Sequence, residues 1–170
     1  MQVTTYSSLE VFDWSIWYYH FPVDEITTNK FKADGNNRVI CVVNDSITLH
    51  SALMPLGTGS YIMVNKKTRE SLALVEGDKV KLELTKDNSE YGVPMPESLA
   101  VMLDQDEVGS KYFHELTPGK QRSLIYVVSK VKSIEKQISK ALAIVDHLKD
   151  VQGKLDYKLL QQKIKEYNNR

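Results

Sequence analysis

At 170 residues, with 42% hydrophobic and 26% charged content, the chain suits one large or two small domains and is too apolar for intrinsic disorder. Lys and Arg total 22 and Asp and Glu total 22, so the zero net charge argues against a dedicated nucleic-acid binder that relies on excess cations. The single cysteine, Cys41, rules out an internal disulfide framework, and no apolar run approaches the roughly 20 residues that span a bilayer.

Residues 1–10 carry neither a basic n-region nor an apolar h-region, so no signal peptide is read there and the expected compartment is the cytoplasm. Trp14 to Phe21 is aromatic and β-prone. Trp14, Ile16, Tyr18 and His20 alternate with Trp17, Tyr19 and Phe21, which predicts a strand buried on both faces. After the turn cluster at residues 34–37, Arg38 to Val43 reads as a buried strand. Asn44-Asp45 is a hairpin candidate leading into a strand from Ser46 to Leu53. Pro55 to Gly59 reads as a loop and Ser60 to Val64 as a short strand. Asn65 is a good N-cap for a brief helix. Lys79 to Thr85 is the cleanest strand, with Val80, Leu82 and Leu84 in strict alternation. Short strands at regular spacing favour a small barrel over an open sheet.

Pro94 and Pro96 should stop the sheet, with Pro96 at a first helical position and Glu97 behind it. Helical spacing follows. Leu99, Met102 and Leu103 lead to Tyr112, Phe113 and Leu116, and Thr117-Pro118 opens a further helix. Leu124, Val127, Val128 and Val131 mark one stripe, Ile134, Ile138, Leu142 and Val145 another. Leu155 to Ile164 outlines a last helix beyond Gly153. The predicted fold class is α+β: a small N-terminal β-barrel over 1–94 and an all-helical segment over 95–170.

The four histidines, His20, His50, His114 and His147, lack ligand-type partners at metal-binding spacing, so they read as structural or surface residues, and no cofactor is expected. Cys41 lies between Ile40 and Val42 and reads as core. Gly57-Thr58-Gly59 lacks the Gly-Lys-Ser/Thr ending of a phosphate loop and reads as a hairpin turn. The aromatic run has no interleaved cation, which favours a barrel core or a dimer contact over a base-stacking platform. The binding candidates are basic. Lys132, Lys136 and Lys140 are spaced to form one helical stripe, with Arg122 upstream, and Lys66 and Arg69 make a weaker second patch. The bland alternative is a solvated helix face opposite Ile134, Ile138 and Leu142.

Two ordered series of motifs carry a resemblance. Ser51-Ala52-Leu53-Met54-Pro55, Gly57-Thr58-Gly59-Ser60-Tyr61, Asn65-Lys66 and Leu74 to Val80 resemble the bacterial domain of unknown function 1905, similar in shape to AbrB/MazE double-split β-barrels. Pro94 to Leu99, Phe113, Leu116 to Arg122, and Lys132-Ser133 to Leu142 resemble the helical YdeI/OmpD-associated family, linked with bacteriocin protection. Ile134 to Gln137 departs from the Thr-Arg pair usual there, which dilutes any anion site. The resemblance implies a non-enzymatic interaction module with a protein partner, tied to bacteriocin protection or envelope stress. An AbrB-like nucleic-acid binder is the less favoured alternative, because residues 1–95 hold 9 basic and 12 acidic side chains. An enzyme whose Asp24, Glu25, Asp78, His50 or Tyr61 converge only in space ranks last. A homodimer stays open as a reading, since a small barrel has limited core.

Overall fold

The computed structural model describes the backbone of residues 1–170 and every side chain except those of residues 15–17. The chain divides into two units, Met1–Gly92 and Val93–Arg170. The first holds strands β1 (Gln2–Ser8), β2 (Glu10–Phe12), β3 (Ser15–Val23), β4 (Arg38–Val43), β5 (Ile47–Ala52), β6 (Met54–Leu56), β7 (Gly59–Met63) and β8 (Lys79–Lys86). Helices α1 (Glu25–Lys32) and α2 (Lys66–Ser71) lie between them in sequence. Alternation decides which side chains enter the core: Val39, Cys41 and Val43 of β4 and Val80, Leu82 and Leu84 of β8 are buried. Burial pushes the Cys41 thiol pKa up to about 12, so it is an inert apolar filler.

The strands pair as two four-stranded antiparallel sheets, β1-β8-β4-β5 and β2-β3-β7-β6. A barrel expected from strand spacing is therefore resolved into two sheets, with no closed ring of strand pairing. The reason lies at two corners. Only Leu9 separates β1 from β2, and only Leu53 separates β5 from β6, so at each point the chain leaves one sheet and enters the other. Both side chains are fully buried. Their backbone groups pair with loop residues. Leu9 N donates to Asp78 O at 2.9 Å and Leu9 O accepts from Gly77 N at 2.7 Å. Leu53 N donates to Asn37 O at 2.8 Å, and Asn37 Nδ2 donates to Leu53 O at 3.3 Å. Each ladder is thus interrupted without leaving buried backbone unsatisfied.

One local expectation holds and two change. The residues at 43–46 form a turn with Ser46 N bonded to Val43 O, and both Asn44 (φ 49°) and Asp45 (φ 54°) are left-handed, as a hairpin turn of this hand requires. Pro55 lies in β6 and not in a loop, which is tolerated because β6 is an edge strand. The run at 14–21 is not buried on both faces. Trp14 is 71% exposed and Tyr18 37%, while His20 and Phe21 are buried; the Ile16 and Trp17 side chains lie outside the described ones.

The second unit contains α3 (Glu97–Gln105), α4 (Glu107–Glu115), α5 (Pro118–Ser129), α6 (Ile134–Asp150) and α7 (Tyr157–Asn168). Pro96 is the N-cap of α3 and not its first helical residue. α6 packs against the other four helices, and Ala141, Ile144, Val145 and Leu148 are buried along it. The stripe expected from Ile134 shifts accordingly: Ile134 is 66% exposed and Ile138 39%, because burial begins at Ala141. α4 approaches α6 closely. A Cβ at Gly109 would stand 2.5 Å from Val145 Cγ1. Asp106 caps α4 through Gly109 N at 2.8 Å and accepts from Lys149 Nζ of α6, which fastens the same contact. Gly153, at φ +78°, ends the helical run and faces Tyr112. No described helix is long and apolar enough to cross a membrane.

If the corners hold the two sheets together, Leu9→Ala and Leu53→Ala should each destabilise the chain by about 3 kcal/mol in urea unfolding, as for other fully buried leucines. A loss within about 0.5 kcal/mol at either position would contradict this.

Candidate binding surface

The basic residues separate into different environments. Lys136 is exposed and Lys140 half-buried on α6, and Lys132 is exposed just ahead of that helix. Lys140 Nζ donates to Val127 O at 3.2 Å, near the carbonyl-rich end of α5. Burial, together with the charges of Lys130 and Lys136, holds the Lys140 pKa below its ordinary value, so Lys130, Lys136 and Lys140 act as a cluster. Arg122, half-buried, lies about two turns back from Lys130 along α5. In the first unit Lys66 pairs with Glu70 at 3.6 Å, and the Arg69 guanidinium lies 4.3 Å above the Tyr19 ring. Arg69 is therefore already engaged with an internal partner.

The scattered titratable groups do not share one pocket. Asp24 caps α1, accepting from Thr27 N at 2.8 Å, and this bond first among its contacts lowers its pKa. Asp24 and Glu25 line an open groove of about 580 Å³ with Ser7, Pro22 and Lys79, whereas Asp78 turns back to accept from Val75 N. His50 lies 3.5 Å from Asp87, and His147 Nε2 accepts from Asp156 N. Among the described residues, no three His, Cys, Asp or Glu side chains gather as a metal site.

The second sheet turns an aromatic face outward. β2 pairs with β3 as Glu10↔His20 and Val11↔Tyr19, then shifts to Phe12↔Ser15. Such an irregularity re-aims a side chain. Here the Phe12 ring lies parallel over His20, centroids 3.9 Å apart and planes 12° apart. Trp14, in the turn after β2, stacks on Phe12 at 5.2 Å and 17°. Tyr18 tilts against both, and Tyr61 of β7 meets Phe12 edge-on at 5.1 Å. His20 Nδ1 donates to Tyr18 O at 3.3 Å, and Nε2 lies 3.9 Å from the Glu10 carboxylate. The result is a column anchored by a buried imidazole and ending in an exposed indole. Met54, paired with Tyr61 across β6 and β7, extends the apolar surface at 40% exposure. Sequence reasoning read Trp14 to Phe21 as a strand buried on both faces, in a barrel core or a dimer contact, and singled out Phe12 for no role. The missed signal is Asp13 between Phe12 and Trp14, which turns the chain before the strand begins.

Asp87 yields a pH prediction. Burial alone would raise its pKa, but hydrogen bonds from Ser89 N and Oγ, with His50 alongside, hold it below the ordinary carboxylate value. A folded-state pKa below the unfolded one means stabilisation that is complete above the unfolded value, about 3.9, and lost as pH falls through the folded value. Asp87→Asn should therefore lower stability at neutral pH and flatten the decline in stability below about pH 4. Parallel pH–stability curves for the two chains would contradict the assignment.

Comparison with known proteins adds context. Residues 10–84 match the model of the domain of unknown function DUF1905, and residues 92–150 match that of the bacteriocin-protection, YdeI or OmpD-associated family. No curated protein matches the chain, and no solved structure does. The Leu53 corner, the second sheet with its ring column, β4, β5 and most of β8 fall within the first match, β1 and Leu9 lie ahead of it, and α3 to α6 fall within the second. The chain thus carries a DUF1905 domain over residues 10–84, followed by a segment of the bacteriocin-protection, YdeI or OmpD-associated family over residues 92–150.

Proposed function

We propose that this chain is a non-enzymatic binding protein of the cytoplasm, docking a protein partner through the outward aromatic face of its second sheet. The observation that carries the reading is the exposure of Trp14, 71%, at the end of a ring column whose other end is buried. An exposed tryptophan fixed by stacking loses little conformational freedom on binding and offers a large contact area, the combination that interface anchors share. The bacteriocin-protection family matched by residues 92–150 supplies the setting, protection against bacteriocins, and envelope stress is the related condition in which we place it. We read the two cornered sheets as a variant of the double-split barrel.

A second reading rests on a different observation, the gathering of Lys130 and Lys136 near the half-buried Lys140, whose Nζ bonds to Val127 O. Gathered cations of this kind suit an anionic partner, nucleic acid included, whose affinity would fall as salt rises. The net acidity of residues 1–95 counts against the barrel half as that surface.

The test uses host cells lacking the gene and challenged with bacteriocin. The unmutated chain should restore tolerance. The Trp14→Ala, Tyr18→Ala chain, with unchanged circular dichroism and melting, should not. Full restoration by that variant would overturn the docking role of the aromatic face.

A further inference from the structure

We infer that the free face of Trp14 receives an arginine side chain of the partner, its guanidinium stacked as the next layer on the Trp14–Phe12–His20 column. The inference rests on the docking reading above and specifies the chemistry of the occupant. Three observations carry it.

The first is geometric. The planes in the column differ by only 17° and 12°, and the column is closed at His20 by burial and open at Trp14. A planar group adds to such a column at one end only. Guanidinium is planar and stacks on aromatic faces, whereas the compact, strongly hydrated ammonium of lysine does so less well.

The second is charge. Residues 9–23 carry Glu10 and Asp13 and no Lys or Arg, and residues 46–65 carry no Lys, Arg, Asp or Glu. The segments that carry the rings thus bring only negative charge, with the Glu10 carboxylate 3.9 Å from His20, and aromatic faces add a negative quadrupole of their own. Both repel an anionic occupant and favour a cation.

The third is the use of the same chemistry one residue away. Arg69 sits 4.3 Å over the Tyr19 ring. Among the described residues, the other cation–ring contacts are at Tyr126 and Tyr167, so the rings of Phe12, Trp14 and Tyr18 have no internal cation over them.

The experiment takes the full chain carrying Trp17→Phe, which leaves Trp14 as the single tryptophan. It is titrated with a blocked Gly-Arg-Gly-Arg-Gly peptide and with its citrulline counterpart, equal in shape but uncharged. Trp14 fluorescence should change saturably with the arginine peptide, with affinity about fivefold or more above citrulline. Salt, and the Glu10→Gln, Asp13→Asn pair, should each weaken it. Should Trp17→Phe fail to fold, the unmutated chain labelled with fluorotryptophan gives the same reading by fluorine NMR. Equal binding of the citrulline peptide would overturn the arginine assignment while leaving the docking face in place. No saturable change with the arginine peptide would also overturn it, and loss of bacteriocin tolerance in the Trp14 variant would then separate this failure from that of the docking reading.

Discussion

Two buried leucines carry the chain from one sheet into the other, and the arrangement of the first unit follows from them. A strand that turns a corner must give up ladder partners, and backbone groups left in a core without partners are costly. At Leu9 the partners come from Gly77 and Asp78, and at Leu53 from both the backbone and the side chain of Asn37. Each leucine meanwhile fills the core where the sheets meet. One position therefore satisfies backbone polarity, fills volume and fixes the angle at which β2 and β6 emerge. β2 in turn carries Phe12 to His20 and delivers Trp14 to the surface.

The second unit is organised around α6. Small side chains make this possible: Ala141 and Ala143 are fully buried on the helix, and Gly109 admits Val145 without a Cβ in the way. The charged contacts reinforce contact points already set by packing, as where Lys149 of α6 reaches the Asp106 cap of α4. Lys140 illustrates how a cation can serve the fold. Its bond to Val127 O places positive charge at the negative end of α5, so its helical-stripe spacing with Lys132 and Lys136 conceals a role in packing.

Much of the fold was legible because periodicity reports burial. β8 alternates strictly, and its three apolar side chains are inside. Thr117 and Pro118 take the N-cap and first-residue positions of α5, although the Thr117 side chain caps no backbone N–H. Asn65 caps α2 through Thr68 N, as its residue type suggested. Reading failed where tertiary placement outweighs composition. Ile134 and Ile138 have core-like spacing yet stay exposed, lining an open groove with Val101 and Met102 of α3. β1, with Thr4, Thr5, Ser7 and Ser8 diluting its apolar pattern, gives almost no alternation signal, although it pairs with β8 over its whole length. The candidate site was legible only in part. The aromatic run was visible, but its face was not. That depends on the register shift between Val11 and Phe12, and local sequence does not encode which ring will lie over His20.

Collisional quenching of Trp14 in the Trp17→Phe chain examines exposure and electrostatic setting together. An indole free on one face and bordered by Glu10 and Asp13 should be quenched readily, and caesium should outperform iodide at equal ionic strength once each is scaled to its efficiency on free tryptophan. A shielded indole, or one quenched better by iodide, would contradict the account of an open, negatively bordered aromatic column.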